Sequence, residues 1–324
     1  MMEFGVRVGN ISTLPVAKAV ERMQALVGAA EDMGYASIWV TDHMVFPTET
    51  ASTYLSTPSG RLTEIDPHSN MFEAVTVLAA FAGMTKRVRL GTNVLVLPYR
   101  HPLLLAKMLA TLDALSGGRV ILGAGVGWLK EEFELFGAAT FEQRGALVDE
   151  YIKILRLVWS REKPSFEGRW YRFSGFDFAP RPVHTIPIWI GGASEVALRR
   201  AAALGDGWHP SHITPHEYAA SAASLRSKCA DRGRNFDELT LSLSLRVVFR
   251  DGVSGDELEF QRPPDAPGYF VGSPSQAVAT LRRYEEAGCS HININVTRAG
   301  DPPSAETAVE ALKVFAREVV QKFA

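Results

Sequence analysis

Short apolar runs of strand character recur along the 324-residue chain, separated by longer stretches whose apolar positions follow the helical period. The runs fall at residues 4–9 (FGVRVG), 36–41 (ASIWVT), 88–95 (VRLGTNVL), 119–124 (RVILGA), 187–191 (PIWIG), 206–209 (DGWH), 240–249 and 290–296 (SHININV). Helices are predicted over 16–33, 71–84, 102–115, 141–159, 195–204, 215–232, 275–287 and 305–323. The runs are too continuously apolar for a sheet with one wet face, as parallel strands covered by helices require. Eight βα units predict a (β/α)8 TIM barrel, with residues 1–324 as a single domain.

Punctuation supports this division. Gly34, Gly117, Gly205 and Gly288 sit where helices should end in a left-handed residue, and Ser275 beside Pro274 marks a helix start. Three stretches exceed ordinary loop lengths: 43–70, 125–186 and 250–272. They follow strands 2, 4 and 7, so they read as insertion segments on the C-terminal face of the barrel, where they cover a substrate. Within the second, 165–173 (SFEGRWYRF) alternates aromatics around a glycine and predicts a hairpin.

Composition narrows the class. Hydrophobic residues make up 46% and charged residues 22%, with a formal net charge of −2 and both signs scattered, so no basic patch is available for a phosphate backbone and nucleic acid is not an expected partner. Cys229 and Cys289 form no spaced cluster, which suits a reducing cytoplasm. No leader-like start or membrane-length apolar run is read, so no membrane partner is expected.

Chemistry in such a barrel is assembled from residues at the strand ends. Asp42-His43 closes the second strand: a histidine beside a carboxylate is held in one tautomer and suits a general acid or base, or else Asp42 caps a loop and His43 is merely exposed. Asn10, Asn93, Gly127, Trp128 and His209 hold equivalent places on other strands, with Asn10, Trp128 and His209 expected in the substrate pocket. GAGVGW (123–128) fails as a dinucleotide fingerprint because Trp128 takes the third glycine position. Its missing Cβ atoms let a flat ring approach, or make a strand-exit turn. Gly191-Gly192-Ala193 leads into a helix start whose N–H groups offer a phosphate site, unless Ser194 simply caps it. His209, His212 and His216 are spaced like metal ligands, but Pro210 and Pro215 break the helix needed to present them together, and no metal is expected. No G-x-S-x-G, C-x-x-C or H-E-x-x-H occurs.

The segments SIWVTDH, VRLGTNVLVLPYRHPLLLAKMLATLDALSGGRVILGAGVGWLKEEFELFG, IWIGGASEVALRRAAALGDGWHP and VGSPSQAVATLRRYEEAGCSHI resemble the luciferase-like flavin and deazaflavin oxidoreductases, in particular the branch that uses coenzyme F420. That resemblance runs from end to end. It implies Asp42 and His43 facing cofactor or substrate, a phosphate on Gly191, Gly192 and Ala193, and Asn93-Val94 at a third-strand bulge where the family often has a non-proline cis peptide. It also implies hydride transfer between F420 and a small organic substrate, and a homodimer pairing through helices 71–84 and 102–115. FMN is the alternative cofactor, in a two-component monooxygenase fed by a separate reductase; a flavin-binding protein without turnover is the other alternative. Trp128 stands where the family's sugar-phosphate dehydrogenases place a catalytic glutamate, which points to an apolar or flat substrate.

Overall fold

In a computed structural model that describes residues 2–54, 57–62, 66–136, 141–264 and 266–323, the eight predicted runs become eight strands. They are β1 (Glu3–Arg7), β2 (Ser37–Val40), β3 (Arg89–Thr92), β4 (Val120–Gly125), β5 (Ile188–Gly191), β6 (Gly207–His209), β7 (Thr240–Phe249) and β8 (His291–Arg298). Each pairs in parallel with the next, and β8 pairs with β1, so the barrel closes. Eight helices lie outside it: α1 (Val16–Asp32), α2 (Ala74–Met84), α3 (Pro102–Ser116), α5 (Arg144–Ser160), α6 (Glu195–Leu204), α7 (Pro215–Ala230), α8 (Pro274–Glu286) and α9 (Ala305–Glu318). One short helix, α4 (Lys130–Leu135), was not anticipated within 125–186.

Alternation along the strands makes two cores. Phe4, Val6, Ile38, Val40, Leu90, Leu122, Ile188, Ile190 and Leu243 face outward and belong to the large cluster shared with the helices. Inside the barrel the packing is different: Trp39, Ile121 and Trp189 form a separate cluster, surrounded by buried Ser37, Ser242, Ser244, His209, His291 and Asn293. The indoles fit because inward positions beside them are glycine. A Cβ on Gly91 would come within 2.3 Å of the Trp39 ring, one on Gly5 within 2.6 Å of its Nε1, and one on Gly207 within 2.6 Å of Trp189. Trp39 stacks on His209 with centroids 4.8 Å apart and closes the floor of the mouth.

Helix boundaries required three corrections. Gly34, Gly117 and Gly288 adopt positive φ as expected, but Gly205 does not. Its φ is −84°, and glycine is needed for space, since a Cβ would meet Ile190 at 2.8 Å and the Gly207 carbonyl oxygen at 3.0 Å. The cap of α8 is Ser273, in a reciprocal capping box with Gln276 and with Pro274 as first helical residue; Ser275 lies inside the helix. Helix α2 begins at Ala74 because Glu73 caps it and Asn70–Met71 instead pairs antiparallel with Ile11–Ser12.

The insertions carry structure of their own. Phe166–Glu167 pairs antiparallel with Arg172–Phe173, as the alternating aromatics predict. Glu259–Gln261 and Tyr269–Gly272 form a second antiparallel ribbon, joined to β7 through the latter strand. Residues 55–56, 63–65, 137–140 and 265 of the three insertions lie outside the described residues. Among the described residues no helix is long and apolar enough to cross a membrane.

Candidate active site

A cavity of about 490 Å³ opens at the C-terminal mouth of the barrel, within the size range of small-molecule and cofactor sites. His43, Asp42, Asn93, Val94, Gly127, Trp128, Gly191, Gly192 and His209 all line it. Two of the sequence-derived candidates do not. Asn10 is completely buried behind the wall, where its oxygen accepts from the Thr41 N–H and its nitrogen donates to the carbonyls of Thr41 and Phe72. It ties the end of β1 to β2, and that occupation removes it from the substrate pocket. Ala193 follows Gly192 outside the lining.

The carboxylate that holds His43 is Glu132 and not the adjacent Asp42. His43 Nδ1 lies 2.7 Å from Glu132 Oε2, which also accepts from the Tyr99 hydroxyl at 2.8 Å. The other oxygen accepts from the N–H groups of Met44 and Val45 at 2.7 and 3.2 Å. Burial pushes the Glu132 pKa up, but the hydrogen bonds from His43, Met44 and Tyr99 outweigh it and hold the carboxyl below its usual range. An ionised carboxylate only accepts, so Nδ1 carries the proton and Nε2 is the nitrogen left for chemistry in the cavity. Burial first, then the Glu132 charge, drives the Tyr99 pKa upward, so the phenol stays a donor.

Asp42 has a different task. Its two oxygens form a fork with Arg100 at 2.8 Å each, and Oδ2 also accepts from the Val96 N–H. Arg100 also reaches Glu73, the cap of α2. This buried network fixes the segment after β3 against the end of β2.

That segment contains the site's unusual backbone: the Asn93–Val94 peptide is cis. Val94 packs where glycines leave room. A Cβ on Gly125 would meet it at 2.5 Å and one on Gly191 at 2.8 Å. Gly123 is required by the Thr92 carbonyl, 1.9 Å from its would-be Cβ. Gly123 and Gly125 of GAGVGW therefore make room for the end of β3 and for Val94, which follows it. Gly192 is glycine for another reason, a φ of 93° just before α6. Ser194 caps that helix by accepting from Ala197 N–H, and its remaining first-turn N–H groups face the C-terminal end of the barrel.

Asn93 is anchored from below. His209 Nε2 lies 3.0 Å from the side-chain amides of both Asn93 and Asn293, while Nδ1 meets Ser242 Oγ at 2.6 Å. Burial, with a smaller contribution from His291, pushes the His209 pKa down to about 3, so the ring is neutral and positions the wall. Trp128 stands edge-on to His43 with centroids 6.0 Å apart and packs against Tyr54 at 4.7 Å. Tyr54 belongs to the loop after β2, which Glu131 grips through Ala51 N–H and Ser52. His209 and His212 line the cavity and His216 does not, and the described residues contain no grouping of three ligands suited to a metal.

Glu132, Tyr99, Arg100, Arg7 and Arg246 escaped the sequence reading. Glu132 lies in WLKEEFELFG, but its partners in the loop after β2 are 87–89 residues away. Arg7 and Arg246 were legible as inward positions of strands that end at the mouth.

Residues 2–254 match the family model described as luciferase-like monooxygenase. An uncharacterised protein of Mycobacterium tuberculosis is 30% identical over 301 residues, covering 92% of this chain and 94% of that one. An F420-dependent glucose-6-phosphate dehydrogenase of Nakamurella multipartita is 31% identical over 304 residues, covering 82% and 84%. The crystal structure of a monooxygenase from Streptomyces bottropensis superposes with a TM-score of 0.76 at 21% identity, covering 100% of both chains, and shows the same barrel. With its family model spanning seven of the eight strands, and a mouth built from the same segments, this chain is an oxidoreductase that belongs to the luciferase-like monooxygenase family.

Proposed function

We propose that the protein catalyses hydride transfer between coenzyme F420 and a small organic substrate, with His43 as the proton donor or acceptor. The observation that carries this reading is His43 itself: it lines the cavity, and Glu132 at 2.7 Å fixes its tautomer so that Nε2 serves the reacting centre. The F420-dependent relative supports the choice of cofactor.

The residues present fit such a group. The cavity has the volume of a cofactor site, Val94 and Trp128 give it flat apolar walls, and Gly192 brings backbone to the start of α6 without a side chain in the way. Gly191, Gly192 and Ala193 would hold the phosphate, and Asn93-Val94 would lie against the ring. When bound, the deazaflavin ring supplies the two-electron carrier. The chain supplies the rest: Val94 and Trp128 orient, the loop carrying Tyr54 excludes water, and His43 moves a proton to or from the substrate oxygen.

FMN is the second reading, in a monooxygenase that draws reduced flavin from a separate reductase; the structural likeness to the Streptomyces monooxygenase favours it at the level of fold. Titrating the protein with F420 and FMN in parallel decides between them. Micromolar or tighter binding of F420, with FMN weaker by tenfold or more, is expected; the reverse order overturns F420, and binding without turnover of any acceptor leaves a flavin-binding protein.

Assembly belongs to the same reading. Met84 on α2 and Leu104 and Leu115 on α3 are exposed large apolar side chains on adjacent helices, which supports a twofold pairing there. Light scattering should report a dimer, and Leu104→Glu with Leu115→Glu should shift it to monomer.

A further inference from the structure

Two imidazoles border the cavity from opposite sides of the mouth. His43 follows β2 and His212 follows β6, halfway round the barrel, and both line the cavity. The Glu132 carboxylate holds His43, whereas a neutral group holds His212. His212 Nδ1 lies 2.8 Å from the Gly268 carbonyl oxygen, which can only accept, so Nδ1 carries the proton and Nε2 keeps its lone pair. Among the described residues Nε2 makes no hydrogen bond, and the buried side-chain polar atoms without a partner there are Arg22 Nε and Asn293 Oδ1. Nε2 is therefore not sealed in the protein, and it opens on the cavity that His212 lines.

The surrounding backbone fixes this placement. Among the described residues His212 is the non-glycine residue with positive φ, at 57°, a state open to glycine, asparagine and histidine but costly for most side chains. Its N–H donates to the Ser244 carbonyl at 3.3 Å and its neighbour Ser211 bridges Ser244, so the residue is registered on β7. The Nδ1 bond ties it to Gly268, just before the ribbon strand Tyr269–Gly272. Burial, then the charge of Arg7, partly offset by the Gly268 bond and reinforced by Arg246, pushes its pKa down to about 4. At pH 7 the ring is neutral and accepts a hydrogen bond without taking the proton. His43, whose other nitrogen meets an ionised carboxylate, is the imidazole suited to take one.

We propose that His212 Nε2 is a recognition acceptor for a ligand hydroxyl, on the side of the mouth opposite the one where His43 exchanges a proton. A hydroxyl fits there and an oxyanion does not, because a neutral nitrogen lone pair attracts an O–H and repels carboxylate or phosphate oxygens. Asn295, inward on β8 and also lining the cavity, carries a carboxamide that both donates and accepts, which suits the oxygen of the same or a neighbouring hydroxyl. Two ligands carry such a group: a hydroxylated substrate, and the sugar-alcohol chain that joins ring to phosphate in F420 and FMN alike. The inference deepens the oxidoreductase reading by naming the chemistry of one end of the ligand. It rests on that reading only for which ligand brings the hydroxyl; the acceptor itself stands independently of F420.

The test is nitrogen NMR on the full chain with its eight histidines isotopically labelled, His212 being assigned by its loss in His212→Asn. Asparagine tolerates the left-handed backbone and offers a side-chain N–H near the Nδ1 position, so it keeps the Gly268 link and removes Nε2. In wild type at pH 7, Nε2 should resonate as an unprotonated nitrogen. Benzyl alcohol should move that resonance saturably, and benzyl methyl ether, which has no donor, should not. His212→Asn should bind benzyl alcohol about threefold to tenfold more weakly and the ether equally well. His212→Gly keeps the φ and loses the Gly268 link, which separates recognition from support. A mere strut requires the asparagine variant to match wild type and the glycine variant to weaken toward both probes; an acceptor requires both variants to lose the preference for the alcohol. A protonated Nε2 at pH 7, or a preference retained in His212→Asn, overturns the proposal. F420 and FMN are titrated into the same proteins. A cofactor that moves Nε2 where benzyl alcohol does not, and binds His212→Asn more weakly, assigns the hydroxyl to the cofactor chain; no shift with either alcohol or cofactor overturns the acceptor. Benzyl alcohol moving Nε2 in a protein that binds neither cofactor removes the F420 reading and leaves the acceptor standing.

Discussion

His43 and His291 each face a glutamate, from opposite ends of the same barrel. At the mouth, His43 gives one nitrogen to a fully buried Glu132 and keeps the other for the cavity. At the base, His291 Nδ1 lies 3.1 Å from Glu3, whose carboxylate also holds Arg89, and its Nε2 is taken by Ser37 Oγ at 2.8 Å. Both nitrogens of His291 are engaged, and it is buried among Trp39 and Trp189. A histidine–carboxylate pair therefore says little about function until the second nitrogen is accounted for. An open nitrogen in a cavity makes an acid or base, and a saturated ring makes a strut.

The sharpest way to break this contrast is His43→Ala, which should lower kcat roughly 10²–10⁴-fold with cofactor affinity unchanged, because the proposed phosphate anchor is on β5. Wild-type kcat in that variant would make His43 a spectator. Glu132→Gln should follow with a loss of roughly 10–100-fold. A glutamine has one acceptor oxygen, and here donors approach both carboxylate oxygens, so either the histidine or the Met44–Val45 backbone loses its partner. A pH–rate profile should show its histidine limb altered in this variant; an unaltered profile with full kcat would detach Glu132 from the chemistry.

His291→Gln should leave kcat alone and lower Tm by a few degrees, since a buried hydrogen-bonded group is lost at a cost of about 1–3 kcal/mol. A fall in kcat without a fall in Tm would erase the distinction between the two ends. Glu3→Gln should have the smallest effect. His291, opposed by burial and aided by Arg89, holds the Glu3 carboxyl down at about 2 against an ordinary value near 4.5. A lowered carboxyl pKa stabilises the fold above about pH 4.5, and that contribution fades as pH falls toward 2. Glu3 is half exposed, so solvent screens the pair and the difference is small. Thermal melts should separate wild type from Glu3→Gln by a degree or so at pH 7 and bring them together near pH 2. A gap that widens in acid would reverse the sign.

The barrel was legible because each strand advertises itself twice, by an apolar outward face and by the helix that must follow. Asp42, His43, Asn93 and Trp128 were legible because strand ends at that face border the cavity. What escaped depends on contacts distant in sequence. Glu132 looks like one more acidic residue in a long insertion, and its place is decided by a loop almost ninety residues earlier. Asn10 has the residue type and position of a pocket residue, but Phe72 and Thr41 use all its hydrogen-bonding capacity. Gly205 shows that glycine reports a demand for space as readily as one for left-handed backbone.

The glycine-lined tryptophans inside the barrel set a limit on how this scaffold diversifies. Gly5, Gly91 and Gly207 are held at zero side chain by Trp39 and Trp189, and Trp39 in turn supports His209 beneath the mouth. A mutation to alanine at any of the three has to displace an indole, and losing the indole removes the base on which Asn93 is seated. New substrate volume is therefore accessible to gradual change from above, in the insertions that carry Tyr54, Leu62 and Pro267, while the depth of the cavity is locked by a coupled set of residues that must change together.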